Sequence, residues 1–322
     1  MQQTEQREER SVADTPEWAW MNGEFVPFAD CKLHVRTAAV AVAASVFEGV
    51  RAYWNPEHQQ LYTFELERHI VRLRESMKIM RMKAEVPADF AASCVELLAR
   101  NGFREDVHYM PTAYVGMPEG NNALGPTRDE GLFITAVARP PGKALDAGKN
   151  VCISSWRRIS DASMPPRVKA AGNYQNSRLA LHQAWADGYD DAVLLNASGT
   201  VAEGAGSCLM MVRGNEVCTP PVTAAILESI TRSVLIQLFE EKLGRRVVER
   251  EIDRTELYVA DEIFMCGSGQ EVVPVISIDR MTVGTGRKGP VTAAIQEVYF
   301  RVARGQDNAH PEWRTPVYRR AS

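Results

Sequence analysis

The segment Arg139–Asn150 (RPPGKALDAGKN) constrains the fold more than any other part of the 322-residue chain. It is rich in proline, glycine and polar residues and stands between two strand-like segments, a pattern typical of a linker. The chain is also long enough for two domains. We therefore predict a small N-terminal α+β domain over residues 17–140, an interdomain linker over 141–150 and a larger C-terminal domain over 151–304.

Composition and charge exclude several classes of protein. The hydrophobic fraction of 45% is ordinary for a globular protein, and the net charge of −4 offers no basic excess for nucleic acid. The longest mainly apolar run, Ala38–Phe47, is too short to span a bilayer. Residues 1–16, expected as a disordered tail, lack the apolar stretch of a secretory signal, and residues 305–322 are expected to form an extended tail. We therefore expect a cytoplasmic protein that binds neither membranes nor nucleic acid.

The cysteines and histidines give no sign of a metal site. The six residues of each type show no close-spaced pairs of the kind that bind structural zinc. We expect no metal, and we expect the cysteines to be mostly buried thiols that stay reduced in the cytoplasm.

Strand and helix patterns alternate along both halves of the chain. The Asn22-Gly23 pair between two apolar stretches predicts a β-hairpin. Helical spacing of apolar residues predicts five helices: Glu67–Ile79, Ala88–Asn101, Gln175–Asp187, Ser229–Leu243 and Pro290–Ala303. Strand patterns cover Ala44–Trp54, Gln60–Phe64, Val107–Val115, Gly131–Val137, Val151–Trp156, Arg246–Glu251 and Glu262–Gly267, with short strands and turns over Asp191–Thr219. The chain is therefore predicted to be mixed α+β, with antiparallel strands in its first half.

Two residues of the C-terminal half suit carbonyl chemistry. Lys169 stands among small, nearly uncharged residues (KAAGNY), and a lysine that loses hydration there becomes an amine nucleophile able to form a Schiff base. An exposed loop lysine would show the same pattern. Glu203 is a lone carboxylate among small residues; if buried, it needs a cationic partner, such as a pyridinium nitrogen. An acid at an exposed hairpin tip is the alternative.

Two further segments suit an anion. Ser229, at the start of a predicted helix, either caps that helix or marks free N–H groups that bind phosphate. The glycines of Cys266–Glu271 (CGSGQE) either let backbone amides converge on a phosphate or carboxylate, or form an ordinary tight turn. Together with Lys169 and Glu203, these segments fit a phosphorylated aldehyde cofactor.

The order of these motifs resembles the fold-type IV (class IV) pyridoxal-phosphate-dependent aminotransferases, most closely the branched-chain amino acid aminotransferases. The resemblance extends from about Trp18 to Arg304 and rests on seven motifs: WMNGEFVPFADCKLHV, SVFEGVRAY, RHIVRLRESMKI, KAAGNY, DDAVLLNASGTVAEGAG, SITRS and CGSGQEVVPV. It implies the two-domain fold of the D-amino acid aminotransferase-like proteins, with pyridoxal 5′-phosphate in the C-terminal domain. It also implies a homodimer or higher homo-oligomer with active sites at the subunit interface.

The resemblance implies roles for individual residues. Lys169 would be the Schiff-base lysine and move the proton between Cα and C4′, Glu203 would pair with the pyridine nitrogen, and Tyr174 would lie beside the ring oxygen. The remaining cofactor contacts, mostly to the phosphate, would be Arg72, Ser229, Ile230, Thr231 and Ser268. The substrate contacts would be Phe47, Met110, Ser268 and Gly269, the last two through main-chain amides to the carboxylate.

Four positions depart from the pattern of the branched-chain enzymes. Val42 stands where the bacterial enzymes usually carry a tyrosine, and Met110 where they carry an arginine that receives the side-chain carboxylate of glutamate. Ser229 replaces a glycine at the phosphate turn. Arg167, two residues before Lys169, is either a replacement contact for an anionic donor or a surface arginine.

We therefore expect a ping-pong transaminase that moves the amino group between a hydrophobic or branched-chain L-amino acid and a 2-oxo acid. One alternative is a transaminase of altered scope, for D-amino acids, simple amines or a specialised-pathway substrate. Another is a lyase of the aminodeoxychorismate type, which releases pyruvate and needs no amino acceptor. A cofactor-binding paralogue without turnover is a third alternative, and the presence of Lys169, Tyr174 and Glu203 together argues against it.

Overall fold

The computed structural model describes residues 15–318, so the tail expected at residues 1–16 lies almost entirely outside the described part. The helices are α1 (Ala38–Ala41), α2 (Leu66–Ile79), α3 (Phe90–Arg100), α4 (Ala144–Ala147), α5 (Asn173–Ala186), α6 (Ile230–Leu243) and α7 (Pro290–Ala303). The strands are β1 (Trp18–Met21), β2 (Glu24–Pro27), β3 (Ser45–Phe47), β4 (Val50–Asn55), β5 (Gln60–Phe64), β6 (Val107–Val115), β7 (Glu130–Ala138), β8 (Lys149–Arg157), β9 (Asp191–Leu195), β10 (Val201–Gly204), β11 (Cys208–Arg213), β12 (Glu216–Thr219), β13 (Val247–Glu249), β14 (Glu262–Gly267), β15 (Glu271–Ile278), β16 (Met281–Thr282) and β17 (Arg314–Pro316). The mixed α+β class predicted from the sequence is confirmed.

The first sheet has eight strands in the order β17-β5-β4-β6-β7-β1-β2, with β3 paired to β6. All its pairings are antiparallel, as predicted for the first half. The β1–β2 hairpin turns at Asn22 and Gly23, whose φ angles of 50° and 99° provide the backbone twist that a two-residue hairpin loop requires. The helices α2 and α3 contribute Leu73 and Leu97 to a core that also contains the fully buried Leu61 of β5.

The second sheet has nine strands in the order β10-β9-β8-β15-β14-β11-β12-β13, with β16 paired to β15. It is mixed, because β8 is parallel to both β9 and β15, and β12 is parallel to β13. The helices α6 and α7 cover one face, where Phe239 and Tyr299 are fully buried against Phe264 of β14. No helix in residues 15–318 combines the length and apolar character needed to cross a membrane.

Two segments expected to lack regular structure contain short elements. Residues 141–150, expected as a linker, hold α4 and the first residues of β8. Residues 305–318, expected as part of an extended tail, hold a 3₁₀ turn at Pro311–Trp313 and the strand β17, which pairs with β5 of the first sheet. The chain therefore returns to its first sheet after α7, and Arg304 at the end of α7 pairs with Asp106 at 2.5 Å. The division into two domains stays a prediction.

Candidate active site

A pocket lies where β3 of the first sheet meets the segment that precedes α5. The backbone N–H of Phe47 donates to the carbonyl oxygen of Lys169 at 2.9 Å, and the N–H of Ala171 donates to that of Ser45 at 3.0 Å. An isolated antiparallel bridge joins Val46 to Ala170 between them. These bonds fix the backbone of Lys169 against the first sheet, so side chains from both sheets face one cavity.

The pocket brings together nine predicted site residues: Phe47, Arg72, Lys169, Tyr174, Glu203, Ser229, Ile230, Ser268 and Gly269. Two others are not on its wall. Thr231 is buried in the first turn of α6. Met110 is half-buried on β6, two residues beyond His108, which does line the pocket. Side chains alternate along a strand, so Met110 and His108 project from the same face of β6. Met110 lies beyond the edge of the pocket on that face.

Lys169 presents its amine among aromatic rings. Its Nζ donates a hydrogen bond to Tyr174 Oη at 2.5 Å. The same nitrogen lies 4.8 Å from the centre of the Phe47 ring and 4.9 Å from that of Tyr174, within the range of cation–π attraction. The exposed loop lysine, left open by the sequence, is therefore excluded: the amine has a defined place in the pocket.

Glu203 is a buried carboxylate of β10 and not an exposed hairpin tip. Its side chain is 8% exposed, its Oε1 lies 2.6 Å from Arg158 Nε, and its Oε2 accepts from the backbone N–H of Leu227 at 3.0 Å. Burial raises the pKa of Glu203, and the positive charge of Arg158 opposes that rise. Arg158 is the cationic partner that a buried carboxylate requires, and sequence reasoning had not identified it.

The N-terminus of α6 and Arg72 form the polar end of the pocket. Ser229 caps α6 by accepting from the backbone N–H of Arg232 at 3.2 Å. The amides of the first turn, which begins at Ile230, have no partner within the helix and suit an anion. Arg72 is fixed beside them, because its Nη1 donates to the carbonyl oxygen of Glu228 at 2.7 Å.

Glu48 orients Arg72 by a two-point ion pair. Arg72 Nε and Nη2 donate to its two carboxylate oxygens at 2.8 and 2.6 Å, and His69 Nδ1 lies 2.7 Å from Oε2. Burial alone would raise the pKa of Glu48, but Arg72 and His69 outweigh burial and bring the pKa to about 2. Sequence reasoning missed this residue, although a carboxylate inside the apolar pattern SVFEGV was a usable signal.

A folded-state pKa below the ordinary value means that Glu48 stabilises the native state at neutral pH. The lowering from 4.5 to about 2 corresponds to about 3 kcal/mol. This stability is present above the unfolded pKa and is lost as the pH falls through the folded one. We expect the unfolding free energies of wild type and Glu48→Gln to converge between about pH 5 and pH 2 in urea titrations. Glu96→Gln, which removes an exposed partner of Arg100, is the control and should leave the pH dependence of the unfolding free energy unchanged. A difference in unfolding free energy between wild type and Glu48→Gln that stays constant over this pH range would disprove the role of Glu48.

Eleven residues of the pocket wall were not among the predicted site residues: Gly49, His108, Arg158, Ser177, Ala205, Gly206, Ser207, Cys208, Leu227, Cys266 and Gly267. His108 packs so tightly against Gly49 that a Cβ there would lie 2.8 Å from its Nε2. Burial and the neighbouring cations Arg139 and Arg51 lower the pKa of His108 to about 3, so it is a neutral imidazole at physiological pH.

Besides Met110, two further positions that depart from the family pattern, Arg167 and Val42, lie off the pocket wall. Arg167 is exposed and pairs with Glu228 at 2.6 Å, which favours the surface interpretation. Val42 is 44% exposed, just after α1. Among residues 15–318, no three His, Cys, Asp or Glu side chains converge as metal ligands would.

Comparisons with known proteins identify the family and the fold. The family described as amino-transferase class IV matches residues 45–278. A probable branched-chain-amino-acid aminotransferase of Aquifex aeolicus is 37% identical over 306 residues, which cover 94% of this chain and 97% of that protein. The crystal structure of the branched-chain amino acid aminotransferase from Thermobaculum terrenum in its PLP form superposes with a TM-score of 0.89 at 40% identity, covering 95% of this chain and 100% of that one.

The Escherichia coli branched-chain amino acid aminotransferase superposes with a TM-score of 0.90 at 34% identity, and the match covers 94% of this chain and 100% of that one. The family match spans more than half of the chain, and the relatives match over nearly their whole length. The chain therefore belongs to the class IV aminotransferases, the pyridoxal-phosphate-dependent transaminases of fold type IV.

Proposed function

We propose that this enzyme transfers the amino group between a hydrophobic or branched-chain L-amino acid and a 2-oxo acid. The observation that carries the proposal is a single pocket in which Lys169 presents an amine, Glu203 a buried carboxylate and the N-terminus of α6 an anion site. The names of the similar proteins support the branched-chain class as substrates.

The pocket residues fit pyridoxal phosphate. The first turn of α6 offers backbone N–H groups suited to its phosphate. Ser207 Oγ is buried without a hydrogen-bond partner in the described residues, so this hydroxyl is available to bind a ligand in the pocket. A Cβ built at Gly206 or Gly269 would meet no atom within 4 Å, so these positions leave room for a ligand.

Bound pyridoxal phosphate would supply the carbonyl carbon that accepts the amino group and the ring that withdraws electrons from the substrate Cα. Lys169 is proposed to bind that carbonyl and to take and return the Cα proton at its Nζ. Tyr174 accepts a hydrogen bond from that nitrogen, which limits the directions in which Nζ can point. Glu203, fixed by Arg158 and the Leu227 amide, would stabilise a positive charge on the ring nitrogen.

The remaining residues would orient the phosphate and the substrate. Arg72, fixed by Glu48, and the amides at Ile230 would bind the phosphate. Phe47, whose ring lies 5.0 Å from that of Tyr174, would contact the apolar substrate side chain. The amides of Ser268 and Gly269 would bind the substrate carboxylate. Met110 lies just beyond the pocket wall, on the same strand face as His108, and its contact with the substrate stays a prediction.

Transfer of labelled nitrogen tests the function. With ¹⁵N-labelled L-leucine and an unlabelled 2-oxo acid, we expect the label in the new amino acid and an equal amount of the leucine-derived oxo acid. The matched control is ¹⁵N-labelled D-leucine, which differs only in configuration and should give no transfer. Transfer from D-leucine alone would favour the altered-scope alternative. Release of pyruvate from aminodeoxychorismate, in a separate assay without an amino acceptor, would favour the lyase.

We further propose a cytoplasmic homodimer. Ala38 N donates to the carbonyl oxygen of Gly116 at 2.9 Å, so the segments around α1 and residues 116–129 lie side by side. Both expose large apolar side chains, with Val35 at 74% and Leu124 at 81% exposure, and such surface suits a second copy of the chain. Sedimentation at the mass of a single chain would contradict the dimer.

The cytoplasmic location is supported by the cysteines. All six are free thiols, as expected in a reducing compartment.

A further inference from the structure

The turn at residues 268–270 closes at a residue in an unusual backbone conformation. Gly267 and Glu271 face each other where β14 ends and β15 begins, and the N–H of Gln270 donates to the carbonyl oxygen of Gly267 at 3.1 Å. Glu271 has a φ of 62°, in the left-handed region that residues other than glycine rarely adopt. Such a conformation persists only where the surrounding contacts impose it.

A buried ion pair with the first sheet supplies one such contact. Arg51 of β4 donates from Nη2 to Glu271 Oε1 at 2.7 Å, and the two side chains are only 2% and 6% exposed. Arg51 Nη1 also donates to the carbonyl oxygen of Arg139, just after β7, at 2.9 Å. The guanidinium therefore joins two strands of the first sheet to the first residue of β15. A charge-assisted bond of this kind is strong and directional.

The second sheet restrains the same turn independently. Gln270 Oε1 accepts from Lys149 Nζ at 2.9 Å, and Gln270 Nε2 donates to Asp191 Oδ2 at 3.2 Å. Lys149 and Asp191 also pair with each other at 2.7 Å. The turn is thus held at Gln270 by its own sheet and at Glu271 by the other sheet.

We propose that Arg51 and Glu271 are positioning residues that fix the amides of Ser268 and Gly269 relative to the substrate carboxylate. The inference rests on the proposed function, in which those amides bind the carboxylate. Ser268 and Gly269 line the pocket, whereas Arg51 and Glu271 lie behind the turn and off the pocket wall. The pair therefore acts on the substrate through the backbone of the turn, and it makes carboxylate binding depend on the placement of the first sheet.

Binding of acetate to the holoenzyme tests the pair, because acetate carries the carboxylate and needs no side-chain pocket. In Glu271→Gln and Arg51→Met we expect the acetate Kd and the L-leucine KM to rise about tenfold, since sub-ångström misplacement weakens such contacts. The kcat should stay within about twofold of wild type. The Kd of pyridoxal phosphate should rise less than the acetate Kd, although Ser268 is a predicted cofactor contact, because Arg72 and the N-terminus of α6 remain in place. The double variant should match the single variants if the two residues act as a unit.

Glu262→Gln is the matched control. Glu262 is another buried carboxylate and begins β14, at the end of that strand away from the turn. It accepts from the backbone N–H groups of Val291 and Thr292 at 3.0 and 2.8 Å. This variant should lower Tm and leave the acetate Kd unchanged. If Arg51→Met does not fold, Arg51→Lys takes its place. That variant keeps the charge and loses the guanidinium that bonds both Glu271 and the Arg139 carbonyl oxygen.

An unchanged acetate Kd in Glu271→Gln would overturn the proposal, as would a parallel rise in the Kd values of acetate and pyridoxal phosphate. The result of this test is independent of whether the proposed function is correct. A wild-type enzyme that binds acetate and does not react with L-leucine would refute the branched-chain substrate, and the acetate comparison would still decide the role of the pair.

Discussion

Replacement of Lys169 by alanine is expected to slow the reaction with L-leucine by about 10⁴-fold. The variant loses the amine that lies against the rings of Phe47 and Tyr174, and no second lysine among residues 15–318 lines the pocket wall. Single-turnover absorbance with excess L-leucine measures the effect. The pyridoxal phosphate Kd should change less than the rate, because Arg72 and the N-terminus of α6 remain in place.

Lys143→Ala is the control for Lys169→Ala, because Lys143 is an exposed lysine just before α4. It should react at the wild-type rate. A Lys169→Ala enzyme that reacts within about tenfold of wild type would contradict the assignment of the proton transfer to this residue.

Replacement of Glu203 by glutamine should lower kcat by about 10²–10³-fold, the usual loss when one charged group is removed from a dry site. It should also destabilise the fold by about 3–5 kcal/mol, since it leaves Arg158 buried without a counter-charge. Urea unfolding measures the stability, and steady-state kinetics at saturating substrate measures the rate.

The double variant Arg158→Met/Glu203→Gln separates these two effects. Removing both charges should restore most of the stability, because a buried pair replaced by apolar or neutral groups is often neutral. The rate should stay low, since the negative charge that Glu203 is proposed to present to the cofactor ring is still missing. Recovery of kcat together with stability would show that Glu203 acts only as the structural partner of Arg158.

The elements of this fold are largely predictable from local patterns, and their arrangement is not. The helix predicted near Pro290–Ala303 is confirmed as α7, because Pro290 suits the first helical position and the apolar spacing continues to the end of the helix. Nothing in the local sequence of β15 indicates that it pairs antiparallel with β14 and parallel with β8. Nor does the polar segment after α7 show that it adds β17 to the first sheet. Both depend on contacts between residues far apart in the chain.

The same division applies to the site. Lys169 and Glu203 are recognisable because a charged residue among small apolar neighbours is unusual, and the structure places both in the pocket. Their environments depend on distant segments: Arg158 follows a strand 45 residues before Glu203 in the numbering, and Phe47 comes from the other sheet. The cost of burying a charge predicts that a buried Glu203 has a cationic partner. Only the folded structure shows that this partner is Arg158.

The absorption spectrum of the purified full chain with pyridoxal phosphate, before and after L-leucine, tests the central claim most directly. A visible band at about 415 nm should disappear in favour of absorbance at about 330 nm as the cofactor accepts the amino group. D-leucine should leave the visible band in place. Absence of a visible band after addition of pyridoxal phosphate, or a band that L-leucine does not change, would contradict the assignment of this pocket to branched-chain transamination.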